Sequence, residues 1–550
     1  MQIVIPMSGF GERFRRDGYS VPKPLIEVDG KPIIQHVIEM FPGEEKFIFI
    51  CNKNHLQDSR YKMKEILSDI CPSGTIVAIP EHKLGPVYAV LQAIEVVELG
   101  EPTIVNYCDF TCYWDYQHFK KFVGNKNCDG AIPSYRDFHP HTLWNNNYAY
   151  IKEEDLCVLD IQEKKPFTSN PLQEFASSGT YYFKSGQMMK KYFQRTIDEK
   201  LLVGNEYYVS MPYKPMIDDG LNVLVYELKY FMQWGTPQDL GEYNYWSDMF
   251  QSIIKKDQVP YQAGNLLLPM VGEGTRFKEG GYEIPKPLIP VSGQPMVIQA
   301  LRDLPKTDSQ TFVLREDLQS LDILKAELRH SSKNAQFYIL PSITDGQATT
   351  CVEGSKNLKM NSIVTIAACD NGMNYDPKLF IELLEDDQVD IIVWGARGYP
   401  GAIRSPEKYG WIDLDDGSLN IRKVSVKKSL SDPINDPIIV GAFTFKRLSD
   451  FTDSVNHMKS RKAKINGEYY IDTAINDAIQ LGKKCKMLEV QHYICWGSPN
   501  DLRTFEYWQS CFHKWFSHPY RLDQDPYLEN DDLDELKKKY SSMWDNRNTF

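Results

Sequence analysis

One stretch occurs twice in this chain. Pro6-Met7-Ser8-Gly9-Phe10-Gly11-Glu12-Arg13-Phe14 runs on to Gly18-Tyr19-Ser20-Val21-Pro22-Lys23-Pro24-Leu25-Ile26, and Pro269-Met270-Val271-Gly272-Glu273-Gly274-Thr275-Arg276-Phe277 runs on, without insertion or deletion, to Gly281-Tyr282-Glu283-Ile284-Pro285-Lys286-Pro287-Leu288-Ile289. The first copy follows the apolar run Ile3-Val4-Ile5, so it reads as the loop leaving the first strand of an α/β unit. In such a loop glycines let backbone amides approach an anion closely. Repetition at fixed spacing demands that the surrounding fold be repeated as well.

Other segments return in the same order. Cys108-Asp109 is matched by Cys369-Asp370, each after a strand-like run, Thr103-Ile104-Val105 and Ser362-Ile363-Val364-Thr365-Ile366. Glu163-Lys164-Lys165-Pro166 is matched by Val426-Lys427-Lys428-Ser429, Gly179 by Gly441, and Glu206-Tyr207-Tyr208 by Glu468-Tyr469-Tyr470. Trp234-Gly235-Thr236-Pro237 and Trp496-Gly497-Ser498-Pro499 close the copies. The order fits a tandem duplication of one whole domain rather than a solenoid. The division reads as a first domain over 1–250, a linker over 251–263, a second domain over 264–512 and a terminal solvated helix within 513–550, where acidic residues precede lysines.

Within the first copy, Ile33, Ile34, Val37 and Ile38 recur at helical spacing after Pro32, and Phe47-Ile48-Phe49-Ile50 reads as a strand. A helix around Met63 to Ile70, a strand at Thr75 to Ile79 and a helix from Val87 to Val97 follow. This β-α-β-α-β order predicts an α/β fold with a mainly parallel central sheet flanked by helices. Side chains just beyond strand carboxyl ends line the crevice of such a sheet, which puts Asp109 in it.

At 550 residues the chain exceeds the size of one core. No run of about 18 apolar residues predicts a membrane span. The opening residues carry no basic leader, and the eleven scattered cysteines read as buried reduced thiols, so the sequence predicts a soluble cytoplasmic protein. A net charge of -12 disfavours nucleic acid as a partner.

A triphosphate packs several negative charges into a few ångströms, and its site needs backbone amides, fixed cations and usually Mg²⁺. The repeated glycines offer the first, Arg13 and Lys23 or Arg276 and Lys286 the second, and Asp109 or Asp370 a hard ligand for the third. On these motifs the chain resembles two sugar-1-phosphate nucleotidyltransferase (NTP transferase) domains in tandem. The resemblance implies Rossmann-like, GT-A-like sheets and Mg²⁺-dependent transfer of a nucleotidyl group from a nucleoside triphosphate to a phosphorylated small molecule, a sugar phosphate, releasing pyrophosphate. It implies Gly9, Gly11 and Gly85, with Gly272 and Gly274, against the nucleotide. Arg13, Lys23, Arg276 and Lys286 become the catalytic cations, and Asp109 and Asp370 the metal ligands. It places Glu163 on the acceptor's hydroxyls, Lys164 on its phosphate, and Gly179 where room is left for it.

The chain also departs from that pattern. No carboxylate stands beside the late Gly-Thr-Pro segment, leaving Asp218, Asp219 or Asp239 as substitutes, with Pro-x-Asp-Leu more typical of a helix start. Val426 stands where Glu163 stands, so the second copy's acceptor site is expected to lack a carboxylate, leaving another acceptor or nucleotide binding without turnover open. A cytidylyltransferase for a non-sugar phosphate and a regulatory nucleotide-binding scaffold remain as alternatives to an enzyme supplying activated sugars for glycan synthesis. The base, the sugar and the oligomeric state stay open.

Overall fold

The computed structural model describes residues 1–144, 147–255 and 258–542. The chain divides into two compact units. The first comprises Met1–Asn244 and Lys514–His518, with the described residues from Lys539, and the second comprises Tyr245–His513 and Pro519–Lys538.

In the first unit β1 (Gln2–Met7), β2 (Lys46–Asn52), β3 (Thr75–Ile79), β4 (Thr103–Asn106), β5 (Gly130–Tyr135), β6 (Thr180–Phe183) and β7 (Val223–Glu227) lie in the spatial order β3-β2-β1-β4-β6-β5-β7. Only β6 runs antiparallel to its neighbours in this series. In the second, β8 (Tyr261–Pro269), β9 (Lys306–Arg315), β10 (Ala335–Leu340), β11 (Val364–Ala367), β12 (Ile391–Ala396), β13 (Ile438–Phe445) and β14 (Cys485–Cys495) lie in the order β10-β9-β8-β11-β13-β12-β14. The pairings repeat strand for strand, with β13 as the antiparallel member. The α/β tandem expected from the repeats is therefore what the chain forms.

Ile3, Val4 and Ile5 are fully buried, as continuous apolar runs must be when helices cover both faces of a parallel sheet. Val4, Val105, Ile132 and Val225 anchor the first core, and Leu267, Ile366, Val393 and Met487 occupy matching strands in the second. In each unit the chain first builds the sheet in one direction from its opening strand and then returns to the other side of that strand. The gap between β1 and β4, and between β8 and β11, is thus the switch point where open α/β sheets hold ligands.

Helices repeat too. α1 (Glu12–Arg16), α2 (Ile33–Glu39), α3 (Pro86–Gln92) and α4 (Pro237–Ile253) are matched by α5 (Thr275–Glu279), α6 (Met296–Asp303), α7 (Gln347–Gly354) and α8 (Pro499–Lys514). The helix expected from Val87 to Val97 ends earlier, at Gln92, and continues as a 3-10 turn over Ile94–Val96.

The expected linker, 251–263, begins inside α4 and ends inside β8, so the described irregular connection is confined to 254–255 and 258–260. The expected terminal helix forms as α9 (Asn530–Ser542), while residues 543–550 of that segment lie outside the described residues. What precedes α9 is not a solvated tail. Trp515 is 5 % exposed, its ring centroid 5.5 Å from His36 and 6.1 Å from Tyr243, and Tyr520 is fully buried with its hydroxyl donating to Asp525. Nine of the eleven cysteines are buried, and all are free thiols.

Asp239 helps start α4. The Thr236 hydroxyl donates to Asp239 Oδ2 at 2.7 Å and accepts from the Asp239 amide at 3.1 Å, a reciprocal cap of the kind that satisfies orphan helix donors. Ser498 and Asp501 repeat the hydroxyl-to-carboxylate bond at 2.5 Å. Burial, reinforced by Glu242, pushes the Asp239 carboxyl up to about 6, against the Thr236 hydroxyl.

Two tests follow from this packing. Trp515→Ala should lower the melting temperature of the first unit by several degrees, since emptying a buried tryptophan site costs about 3 to 5 kcal/mol; unchanged melting would restore the solvated-tail reading. For Asp239 the folded pKa lies above its ordinary 3.8, so its contribution to stability is fully present below about pH 4 and lost as pH rises through about 6. That contribution is on the order of 3 kcal/mol. Asp239→Asn should gain stability relative to wild type between pH 4 and pH 7 in urea unfolding, and a constant difference across that range would contradict the assignment.

Candidate active site

The repeated loop is shaped by two backbone devices. Gly11 and Gly274 sit at φ 62° and 64°, in the left-handed region, and open α1 and α5. Pro22 and Pro285 then hold extended backbone, with ψ 143° and 141°, and launch 3-10 turns over Lys23–Leu25 and Lys286–Leu288. Phe14 and Phe277 are buried beneath the turns, each edge-on to a tyrosine (Tyr19, Tyr282) with centroids 5.1 Å apart. The lysine therefore has a fixed backbone and an apolar floor.

Lys23 Nζ donates to Asp109 Oδ2 at 2.6 Å and to the Gly235 carbonyl at 2.9 Å, and lies 5.3 Å from the Phe14 ring centroid. Gly235 is 212 residues away in sequence. A two-stranded ribbon, Phe110–Tyr113 paired with Tyr230–Gln233, carries it back, and the Trp234 amide donates to the Asp109 carbonyl at 2.9 Å. Sequence reasoning noted this late segment but not that its carbonyl holds the lysine.

The second unit repeats the pair, with Lys286 Nζ donating to Asp370 Oδ2 and the Trp496 amide to the Asp370 carbonyl at 2.8 Å. Burial alone would raise Asp370, but Lys286 and Arg276 outweigh it and hold the carboxyl below its ordinary range. Burial likewise opposes the charge on Lys286, yet Asp370 keeps the ammonium above its ordinary value.

A cleft of about 570 Å³ opens at the first switch point, a size typical of small-molecule sites. Gly9, Gly11, Arg13, Lys23, Gly85 and Asp109 all line it. Among the described residues the Gly9, Phe10 and Gly11 amides have no acceptor in the protein. Gly85 has φ +86°, and a Cβ there would stand 2.8 Å from the Tyr207 amide nitrogen. This close approach lets the Tyr207 amide donate to the Leu84 carbonyl and the Val87 amide to the Tyr207 carbonyl, stitching Glu206-Tyr207-Tyr208 onto the cleft wall. Glu206 and Tyr208 consequently line the cleft, which the Glu-Tyr-Tyr repeat could have signalled.

Glu163 and Lys164 are not among the residues lining the cleft, but they touch the segment that carries its wall. Glu163 Oε2 accepts from the Ser210 hydroxyl at 2.6 Å, and burial, helped by Glu206, raises its carboxyl despite Ser210 and Lys164. Lys164 follows the strand in left-handed backbone, with φ 60°, and donates to the Tyr208 hydroxyl, which donates on to Glu206. Gly179 has φ +98°, and a Cβ there would stand 3.0 Å from both the Phe110 and Tyr107 rings. The absent side chain lets these two rings pack close to the backbone.

Two of the substitute metal carboxylates have other partners. Asp219 accepts from the Tyr192 hydroxyl at 2.7 Å and from Arg195 at 2.8 Å, and Asp239 caps α4. Among the described residues no three His, Cys, Asp or Glu side chains gather into a cage for a metal ion. Asp109 itself, partly exposed at a strand end and facing the cleft, suits a hard cation that takes one or two carboxylates and fills its shell with phosphate oxygens and water. No described helix is long and apolar enough to cross a membrane.

The first half of the chain resembles known proteins. Residues 3–249 match the family model described as nucleotidyl transferase. The mannose-1-phosphate guanylyltransferase catalytic subunit beta of Drosophila pseudoobscura pseudoobscura is 24% identical over 284 residues, 50% of this chain and 71% of that protein. The bifunctional protein GlmU of Methanocaldococcus jannaschii is 25% identical over 257 residues, 46% of this chain and 56% of that protein. Thus the match spans little more than half of the second relative. Among solved structures, a nucleoside-diphosphate-sugar pyrophosphorylase from Vibrio cholerae RC9 is 19% identical, covering 44% of this chain and 99% of that one with a TM-score of 0.37. Over residues 3–249, somewhat less than half of its length, the chain is thus similar to the nucleotidyl transferase family.

Proposed function

We propose that the first domain transfers a nucleotidyl group from a nucleoside triphosphate to a sugar phosphate and releases pyrophosphate. The observation that carries this reading is Lys23, held between Asp109 and the Gly235 carbonyl on the wall of a cleft that also presents Arg13 and the free Gly9 to Gly11 amides. The mannose 1-phosphate in the name of one curated relative supports the sugar-phosphate class.

The chemistry asks little of acid–base groups. A phosphate monoester is already an anion at neutral pH, so an acceptor oxygen attacks the α-phosphorus without surrendering a proton to the protein. The bond from the α-phosphorus to the oxygen bridging it to the β-phosphorus breaks, and pyrophosphate leaves with that electron pair. What the site must supply is alignment and charge neutralisation. The loop amides hold the nucleotide, Arg13 meets the β- and γ-phosphates and the charge growing on the leaving group, and Lys23 spans the α-phosphate and the incoming phosphate. Glu163 orients acceptor hydroxyls, while Lys164, steadied by Tyr208, meets the acceptor phosphate. Asp109 would hold Mg²⁺, which when bound supplies Lewis-acid polarisation of the phosphates.

Pyrophosphate release, measured with UTP, CTP, dTTP and GTP against sugar phosphates and amino-alcohol phosphates, tests this. Lys23→Ala should cut kcat/KM at least a hundredfold, the scale for removing a preorganised donor to developing charge. An unchanged rate in that variant would remove the first domain from the chemistry, and tight nucleotide binding without release from any pair would favour the scaffold.

A further inference from the structure

The second domain has Val426 where the first has Glu163, and the backbone makes the equivalence firm. In the first hairpin Ala149 pairs with Glu163; in the second Gly410 pairs with Val426. Lys164 and Lys427 come next, both in left-handed backbone (φ 60° and 58°), and their amides donate to the Tyr148 and Tyr409 carbonyls at 2.8 and 3.0 Å. The facing segment is equally well registered. Tyr207 is stitched to Leu84 and Val87, and Tyr469 is stitched to Asp345 and Ala348 by the same two bonds. Three residues beyond these tyrosines stand Ser210 and Asp472.

In the first domain Ser210 donates to Glu163 across this gap. In the second the carboxylate stands on the opposite wall. Asp472 Oδ2 lies directly over Gly410, so close that any Cβ on Gly410 would collide with it, and Gly410 is the register partner of Val426. Three positions have changed together, from Ala149, Glu163 and Ser210 to Gly410, Val426 and Asp472: one wall gives up its carboxylate, the other gains one, and a glycine makes room. The Asp472 carboxylate accepts from no other residue among those described, and its charge acts on Lys427, whose Nζ donates to the Lys408 carbonyl at 2.6 Å and which also feels Arg276.

We propose that the second domain keeps a working acceptor site, in which Asp472 replaces Glu163 as the carboxylate that binds hydroxyls of a polyhydroxylated phosphate monoester, with Lys427 and Arg276 facing its phosphate. This rests on the function proposed for the first domain, and it replaces the expectation that the second copy lacks an acceptor carboxylate. Moving the anion to the other wall reverses the side from which hydroxyls are read, so the second domain takes a different sugar phosphate, or the same one turned.

The test uses the full chain carrying Lys23→Ala and Glu163→Gln, which silences the first site. Binding of glucose 1-phosphate, mannose 1-phosphate and N-acetylglucosamine 1-phosphate is measured by calorimetry with each triphosphate present, with ethanolamine phosphate as the probe lacking ring hydroxyls. At least one sugar phosphate should bind, and adding Asp472→Asn should weaken it about tenfold or more, as expected for losing a hydrogen bond to a charged group, without weakening the triphosphate. Adding Asp472→Ser with Val426→Glu and Gly410→Ala should restore acceptor binding. Three results would each overturn the proposal: no sugar phosphate binding, equal binding of the Asp472→Asn chain, or no restoration in a triple variant that melts normally. Pyrophosphate release by the unmodified chain is scored separately; its absence would count against the first-domain reading, whereas its presence alongside any of those three results would count against Asp472 alone.

Discussion

Both domains are arranged around one ion pair, a lysine from a Pro-Lys-Pro turn against an aspartate from the end of a central strand. Taking an ammonium and a carboxylate partly out of water costs free energy that mutual attraction alone does not reliably return. Lys23 and Asp109 nonetheless meet at 2.6 Å because each is fixed by something else. The turn is set by Pro22 and floored by Phe14, and the aspartate by its strand and by the Trp234 amide. Such a pair is a neutral resting arrangement for two groups that a polyphosphate and a cation would each draw to themselves. The switch point, the left-handed glycine before α1 and the ribbon that returns Gly235 all serve to place it.

Much of this was legible in the sequence because it is local. The strand cores, the Met63–Ile70 helix, the glycine loop and the strand-end aspartate rest on spacing within a few residues, and Gly9, Gly11, Arg13, Lys23, Gly85 and Asp109 converge on one cleft. What escaped depends on contacts distant in sequence. The Gly235 carbonyl, the Glu206 and Tyr208 wall and the burial of Trp515 all arise from chain segments returning from far away. The close approach of the Phe110 and Tyr107 rings to Gly179 likewise involves residues about seventy positions away and is not visible in the sequence. Of the spare carboxylates, Asp219 pairs with Arg195, and Asp239 opens a helix as its Pro-x-Asp-Leu setting suggested.

The second domain shows how a position-by-position comparison can mislead. Read along the strand, Val426 is a loss; read across the hairpin and onto the facing helix, the carboxylate has changed walls. The glycine loop and its Lys–Asp pair are the invariant part of the duplication, and the Glu163/Val426 hairpin the part that has drifted, the division expected if the two halves handle a common nucleotide chemistry and different acceptors.

The central claim is that each Lys–Asp pair marks a triphosphate site. Calorimetric titration of the full chain with UTP, CTP, dTTP and GTP in the presence of Mg²⁺, without any acceptor, measures it directly. The account predicts two equivalents of a triphosphate per chain, falling to one in Lys286→Ala. A single equivalent, abolished by Lys23→Ala and untouched by Lys286→Ala, would contradict it.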